Sequence, residues 1–163
     1  MRYSLFVSAA LLSVGGVGLV TPVFADTLDQ GLHAMVAGDY PRAVEELRRA
    51  VGERPRDPAA HFNLASALRG LGHPDEAVYE YHLALDLASD ETGRSDALYG
   101  VALARDAQGN PELAQLAWRD YIHYAQAFRS EQPTVAIARE RLAEDQRLAG
   151  RPAEIPGTQK AGR

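Results

Sequence analysis

A chain of 163 residues has room for one domain with short appendages, and 46% apolar residues are enough to pack a core. Its 17 Lys and Arg stand against 22 Asp and Glu, and the net charge of −5 argues against nucleic acid or an anionic lipid surface as the partner. With no cysteine, a disulfide framework, a thiolate metal site, a cysteine nucleophile and a lipid-modified cysteine are excluded together.

The first element is an address. Arg2 precedes an uncharged run from Leu5 to Val20, and Val23-Phe24-Ala25 then offers the small residues a signal peptidase reads before its cut. Pro22 breaks the apolar helix just upstream and presents extended backbone to the protease. The run of 16 residues falls short of the roughly 20 that span a bilayer, and Gly15, Gly16 and Gly18 weaken its helix further. Residues 1–25 are therefore expected to be a cleaved signal peptide. The mature chain would begin at Asp26, carry 16 cationic against 22 acidic side chains, and have no stable membrane insertion. The short apolar region suits a bacterial periplasmic protein, with full secretion as the other destination left open.

Beyond Asp26 the chain repeats itself. Three turn segments, Gly38-Asp39-Tyr40, Gly72-His73-Pro74 and Gly109-Asn110-Pro111, are each followed at a fixed distance by Ala43, Ala77 and Ala114. One helical turn later come Leu47, Tyr81 and Trp118, and then Ala50, Ala84 and Tyr121. The first two glycines are 34 residues apart and the next two 37, so one unit carries three extra residues. Ser89, Asp90, Thr92 and Gly93 place these in a lengthened loop over Ala88 to Arg94. A glycine that ends a helix adopts the left-handed conformation at little cost, and a proline just after it suits the first turn of the next helix. The small alanine lets the two helices approach, and the large residue fills the space between pairs. Ala77, Val78, Tyr81, Ala84 and Leu85 recur at three and four residues, the period of a helix.

On these residues the chain resembles the tetratricopeptide repeat family. The second-helix pattern A-x3-F-x2-A is followed by Ala43-x3-Leu47-x2-Ala50, Ala77-x3-Tyr81-x2-Ala84 and Ala114-x3-Trp118-x2-Tyr121, with Pro55 at the closing proline and Ser89 and Gln126 departing from it. The first-helix half is looser: His61-x2-Leu64-Ala65-x2-Leu68, Thr27-x2-Gln30-Gly31-x2-Ala34, and Leu98-x2-Val101-Ala102-x2-Arg105. The resemblance implies an all-α fold of three helix-turn-helix repeats, about 27–57, 58–91 and 92–128, stacked as a short right-handed solenoid.

Past a break at Ser130 to Thr134, Val135, Ile137, Ala138, Leu142, Ala143 and Leu148 mark a further amphipathic helix, about 133–149, ended by Gly150. Its charged opposite face fits a cap over the last repeat, giving seven helices and a repeat domain over 26–150. Residues 151–163, with Pro152, Pro156, Gly157 and Gly162, are expected to be a disordered tail.

No catalytic constellation emerges. His33, His61, His73, His82 and His123 form neither His-x3-His nor His-Glu-x2-His, so they are expected as scattered surface and boundary residues, with no metal and no cofactor. Glu45-Glu46 and Asp75-Glu76 lie where acidic side chains complement the start of a helix. The stripe Trp118, Tyr121, Tyr124 and Phe128 is expected to be core beneath the cap.

The family resemblance further implies that the first helix of each pair lines a concave groove. Carried onto this chain, the groove would be formed by Phe62, Asn63, Ser66 and Arg69 in the second unit and by Asp96, Tyr99, Gly100 and Leu103 in the third. Asn63 matches the asparagine that such repeats aim at a peptide backbone, and Arg69 could meet a carboxylate. Acidic Asp96 and bare Gly100 do not form a clamp for a peptide carboxyl terminus. The expected function is a non-enzymatic adaptor or scaffold of the bacterial cell envelope that binds other envelope proteins through a peptide or partner helix. The alternative is an accessory subunit docking on an exported enzyme. Nothing in the sequence sets the partner's identity or the oligomeric state.

Overall fold

The computed structural model describes residues 26–127 and 133–149. The expected signal segment, the break before the cap and the expected tail lie outside those residues. Among the described residues there are seven helices and no strand: α1 (Thr27–Val36), α2 (Tyr40–Glu53), α3 (Pro58–Leu71), α4 (Pro74–Leu87), α5 (Glu91–Ala107), α6 (Pro111–Ala127) and α7 (Pro133–Ala149). Each packs on the one before it in the chain, so α1/α2, α3/α4 and α5/α6 stack as consecutive pairs and α7 closes the row on α6. No helix among the described residues is long and apolar enough to cross a membrane.

The punctuation is that of the sequence. Gly38, Gly72 and Gly109 all take positive φ, at 74°, 88° and 71°, a region that costs an L side chain about 1–2 kcal/mol. The next helix is then started by local chemistry. The Asp39 carboxylate accepts from Arg42 N at 3.2 Å. The Asn110 amide oxygen accepts from Glu112 N and Leu113 N, both at 3.1 Å. Proline opens α3, α4, α6 and α7, where its missing N–H is not needed.

The core is a row of small-and-large contacts. Ala43, Ala77 and Ala114 are fully buried, as are Leu47, Tyr81 and Trp118 one turn on. Two glycines permit the closest approaches: a Cβ on Gly31 would lie 2.5 Å from Leu47 Cγ, and one on Gly100 would lie 2.3 Å from Tyr81 Cε1. The Trp118 indole N–H donates to Asp106 Oδ1 at 2.9 Å, which satisfies its one polar atom inside the stack. Val135 and Ala138 of α7 are buried at the end of the stack, and Tyr121 Oη donates to Thr134 Oγ1 across the α6–α7 contact at 2.7 Å. The aromatic stripe is thus core as far as it is described: Trp118 and Tyr121 are sequestered, Tyr124 is half-buried, and Phe128 lies outside the described residues.

Two expectations are corrected. The three extra residues of the third unit do not lengthen a loop. They lengthen α5, which has 17 residues against 14 in α3, because Asp90 caps the helix by accepting from Gly93 N at 2.8 Å and recruits Glu91 to Arg94 into its first turn. His61 is not a surface or boundary histidine: it is 5% exposed. Its Nδ1 lies 2.7 Å from Glu80 Oε2 and its Nε2 lies 3.1 Å from the Pro55 carbonyl oxygen, so both ring nitrogens meet acceptors. The other four histidines are exposed.

Candidate functional site: the concave face

Contacts between successive pairs are unequal. The first helices touch one another along the stack, α1 against α3 and α3 against α5, whereas no such contact joins α2 to α4 or α4 to α6. Closer spacing on one side of a row of helix pairs curves the row toward that side, so α1, α3 and α5 form the concave face.

The eight groove residues expected from the sequence fall into two groups. Phe62, Asn63 and Asp96 come together around a cavity of about 220 Å³. It opens between the start of α3, the end of α4 and the start of α5, and Pro58, Ala59, Ala84 and Ala88 supply its apolar lining. Asp90 and Gly93 complete it. Phe62 is half-buried, and its ring stands edge-on to Tyr81 with centroids 5.4 Å apart. The Asn63 amide donates to Ala59 O in the preceding turn at 2.8 Å, which leaves its oxygen as an acceptor. Asp96 is exposed at the rim, and partial burial, followed by the neighbouring Asp90 charge, raises its carboxyl above the usual range.

The other five residues do not line this cavity. Ser66 Oγ and Tyr81 Oη share a hydrogen bond of 2.9 Å, so Ser66 serves the core. Tyr99 is half-buried, edge-on to Trp118 at 5.6 Å and tilted against Tyr121 at 5.2 Å. Leu103 is half-buried against the core cluster. Arg69 Nε is buried without a hydrogen-bond partner among the described residues. Gly100 is buried beneath the Tyr81 ring and opens no space in the groove.

Asp90 and Gly93 were missed because the segment reads as loop. The spacing of Asp90 to Gly93 is nonetheless that of a helix cap, which puts both at the groove end of α5. A second cleft of about 370 Å³ lies at the cap, between the α5–α6 turn and α7. Asp106, Asn110, Arg141, Glu144 and Asp145 give it a polar lining. No group of three or more His, Cys, Asp or Glu able to hold a metal ion occurs among the described residues.

Comparison with known proteins agrees with this fold. Residues 28–92 match the family model of the tetratricopeptide repeat. No protein of curated function matches the chain. Among solved structures, it is similar to the second tetratricopeptide repeat domain of human RPAP3, which is in complex with the HSP70 peptide SGPTIEEVD. The identity is 19% and the TM-score 0.62, over 74% of this chain and 92% of that one. The first such domain of human RPAP3 is 20% identical with a TM-score of 0.58, over 74% and 93%. The corresponding domain of Sgt2 from Aspergillus fumigatus is 21% identical with a TM-score of 0.61, over 83% and 89%. The fold is a tetratricopeptide-type solenoid with a closing helix.

Proposed function

We propose that this chain is a protein-interaction module of the bacterial cell envelope, exported by its first 25 residues, that binds an extended peptide segment of a partner protein across the concave face of α1, α3 and α5. The observation that carries the reading is the cavity on that face, where the half-buried Phe62 ring and the Asn63 amide stand side by side. An aromatic surface beside one well-placed polar group is the composition by which grooves hold peptides. The peptide complex formed by the second repeat domain of human RPAP3 supports it. The reading assigns the chain no catalysis.

Export is tested by amino-terminal sequencing of envelope material, which should begin at Asp26; recovery only as an unprocessed membrane-bound chain would refute it. The binding face is tested by placing a photo-cross-linking amino acid at position 63 or at position 140, an exposed position on α7. Position 63 should yield a partner adduct in cells and position 140 should not. Adducts from 140 alone would move the site to the cap.

A further inference from the structure

Within that concave-face reading, we infer that the cavity between α3, α4 and α5 receives a cationic side chain, lysine or arginine, of the partner's extended segment. Every polar side chain lining it offers an acceptor: Asp90 and Asp96 carry carboxylates, and Asn63, with one of its two amide hydrogens bonded to Ala59, presents its amide oxygen. No lining residue brings a positive charge. Among the described residues neither carboxylate forms an ion pair. The arginine nearest in sequence is turned elsewhere, for Arg94 Nη1 donates to Leu85 O and Ala88 O, both at 3.4 Å, at the end of α4.

The rest of the cavity fits the same guest. Pro58, Ala84, Ala88 and the Phe62 ring are apolar, which suits the aliphatic stem that Lys and Arg bury while their charge stays at the rim. The Phe62 ring adds a face for cation–π contact. At about 220 Å³ the space lies below the roughly 300–1,000 Å³ of small-molecule clefts and is on the scale of one long side chain. Partial burial first, and the neighbouring Asp90 charge second, raise the Asp96 carboxyl, and an incoming cation would offset both.

The test uses the full protein and four fluorescent nonapeptide pools with blocked termini, randomised over uncharged residues, whose central residue is Arg, Lys, Gln or Glu. By fluorescence anisotropy the Arg and Lys pools should bind about tenfold more tightly than the Gln pool, the size of one charge-assisted hydrogen bond, and the Glu pool more weakly still. The double variant Asp90→Asn/Asp96→Asn should bring the Arg pool down to the Gln pool; asparagine caps a helix as well as aspartate does, so α5 keeps its start. High salt should shrink the preference in the parent. Equal binding of the Arg and Gln pools, with both weakened by Phe62→Ala, would overturn the cationic guest and leave the groove reading standing. An Arg preference that survives the double variant would place the attraction elsewhere on this acidic chain and overturn it too. Binding of no pool also overturns it, and cross-linking from position 63 then decides the concave-face reading by itself.

Discussion

Replacing Gly100 by alanine tests how the stack is packed with a single methyl group. The new Cβ would lie 2.3 Å from Tyr81 Cε1, 2.6 Å from Cδ1 and 2.7 Å from Cζ, where carbon atoms ordinarily meet at about 3.5–4 Å. The ring must retreat by roughly 1 Å, and it has no room: Tyr81 is 1% exposed, hydrogen-bonded to Ser66 and held edge-on by Phe62. Overpacking of this kind costs about 1–3 kcal/mol, and the better helix propensity of alanine offsets up to about 1 kcal/mol. The net loss should be about 1–2 kcal/mol, read as a lower urea midpoint with an unchanged slope. Gly52, helical in α2, is the control: beyond its chain neighbours and the backbone of its own helix, nothing lies within 4 Å of its Cβ position, so Gly52→Ala should stabilise by about 0.5 kcal/mol. In a Tyr81→Leu background, where the ring edge is gone, Gly100→Ala should cost less than in the parent. A Gly100→Ala midpoint at or above that of the parent would refute the close-approach reasoning.

Removal of residues 133–163 should uncover the side of α6 that bears Tyr121 and forfeit its hydrogen bond to Thr134, so the truncated protein should self-associate in light scattering; a monomer as stable as its parent would deny α7 its capping role. Burial raises the Asp145 carboxyl, with Asp106 and then Glu144 adding to it and Arg141 opposing. Burial also raises Asp106, against the Trp118 and Arg141 contributions and with Glu144. A carboxyl raised in the fold contributes stability that is present below its unfolded value and is lost as pH rises through its folded value. Asp145→Asn should therefore raise Tm at pH about 7 and change little below pH about 4; equal effects at both would contradict the assignment. His61→Ala should lower stability by about 2 kcal/mol or more, because the Glu80 carboxylate and the Pro55 carbonyl lose their shared partner; an unchanged unfolding midpoint would show that the buried ring is dispensable.

The helix pairs were legible because their determinants are local. A glycine that must take positive φ, an asparagine or proline just after it, and an alanine at the crossing all declare themselves within a dozen residues, as at Gly109, Asn110, Pro111 and Ala114. Trp118 and Tyr121 were legible as core because helical spacing put them on the buried face of α6. What failed was set by distant partners or by competing local signals. His61 looks polar in the sequence, yet Glu80, 19 residues away, and the Pro55 carbonyl accept its ring into the interior. Thr92 and Gly93 have low helix propensity, which disguises the first turn of α5 as loop although Asp90 caps it.

The same distinction explains why the concave face is narrower than its sequence suggests. Periodicity puts Phe62, Ser66, Tyr99 and Leu103 on one side of their helices, but it does not say which of them the core will claim. Tyr81 claims Ser66 through its hydroxyl, and Trp118 and Tyr121 claim Tyr99 through ring contacts. Gly100 is held under Tyr81. Large second-helix residues thus draw the middle of α3 and α5 into packing, and α3 and α5 present their open polar lining at their starts. There Asn63 lies one turn into α3 and Asp96 near the cap of α5. On the proposed reading, a ligand on this face is discriminated at one end of the groove, by the acceptors around the cavity, while the middle supplies a stiff apolar wall. Truncating Tyr99 would loosen that wall and the third repeat's core together, whereas on the proposed reading Asn63→Ala and Asp96→Asn should act on recognition with the stack intact.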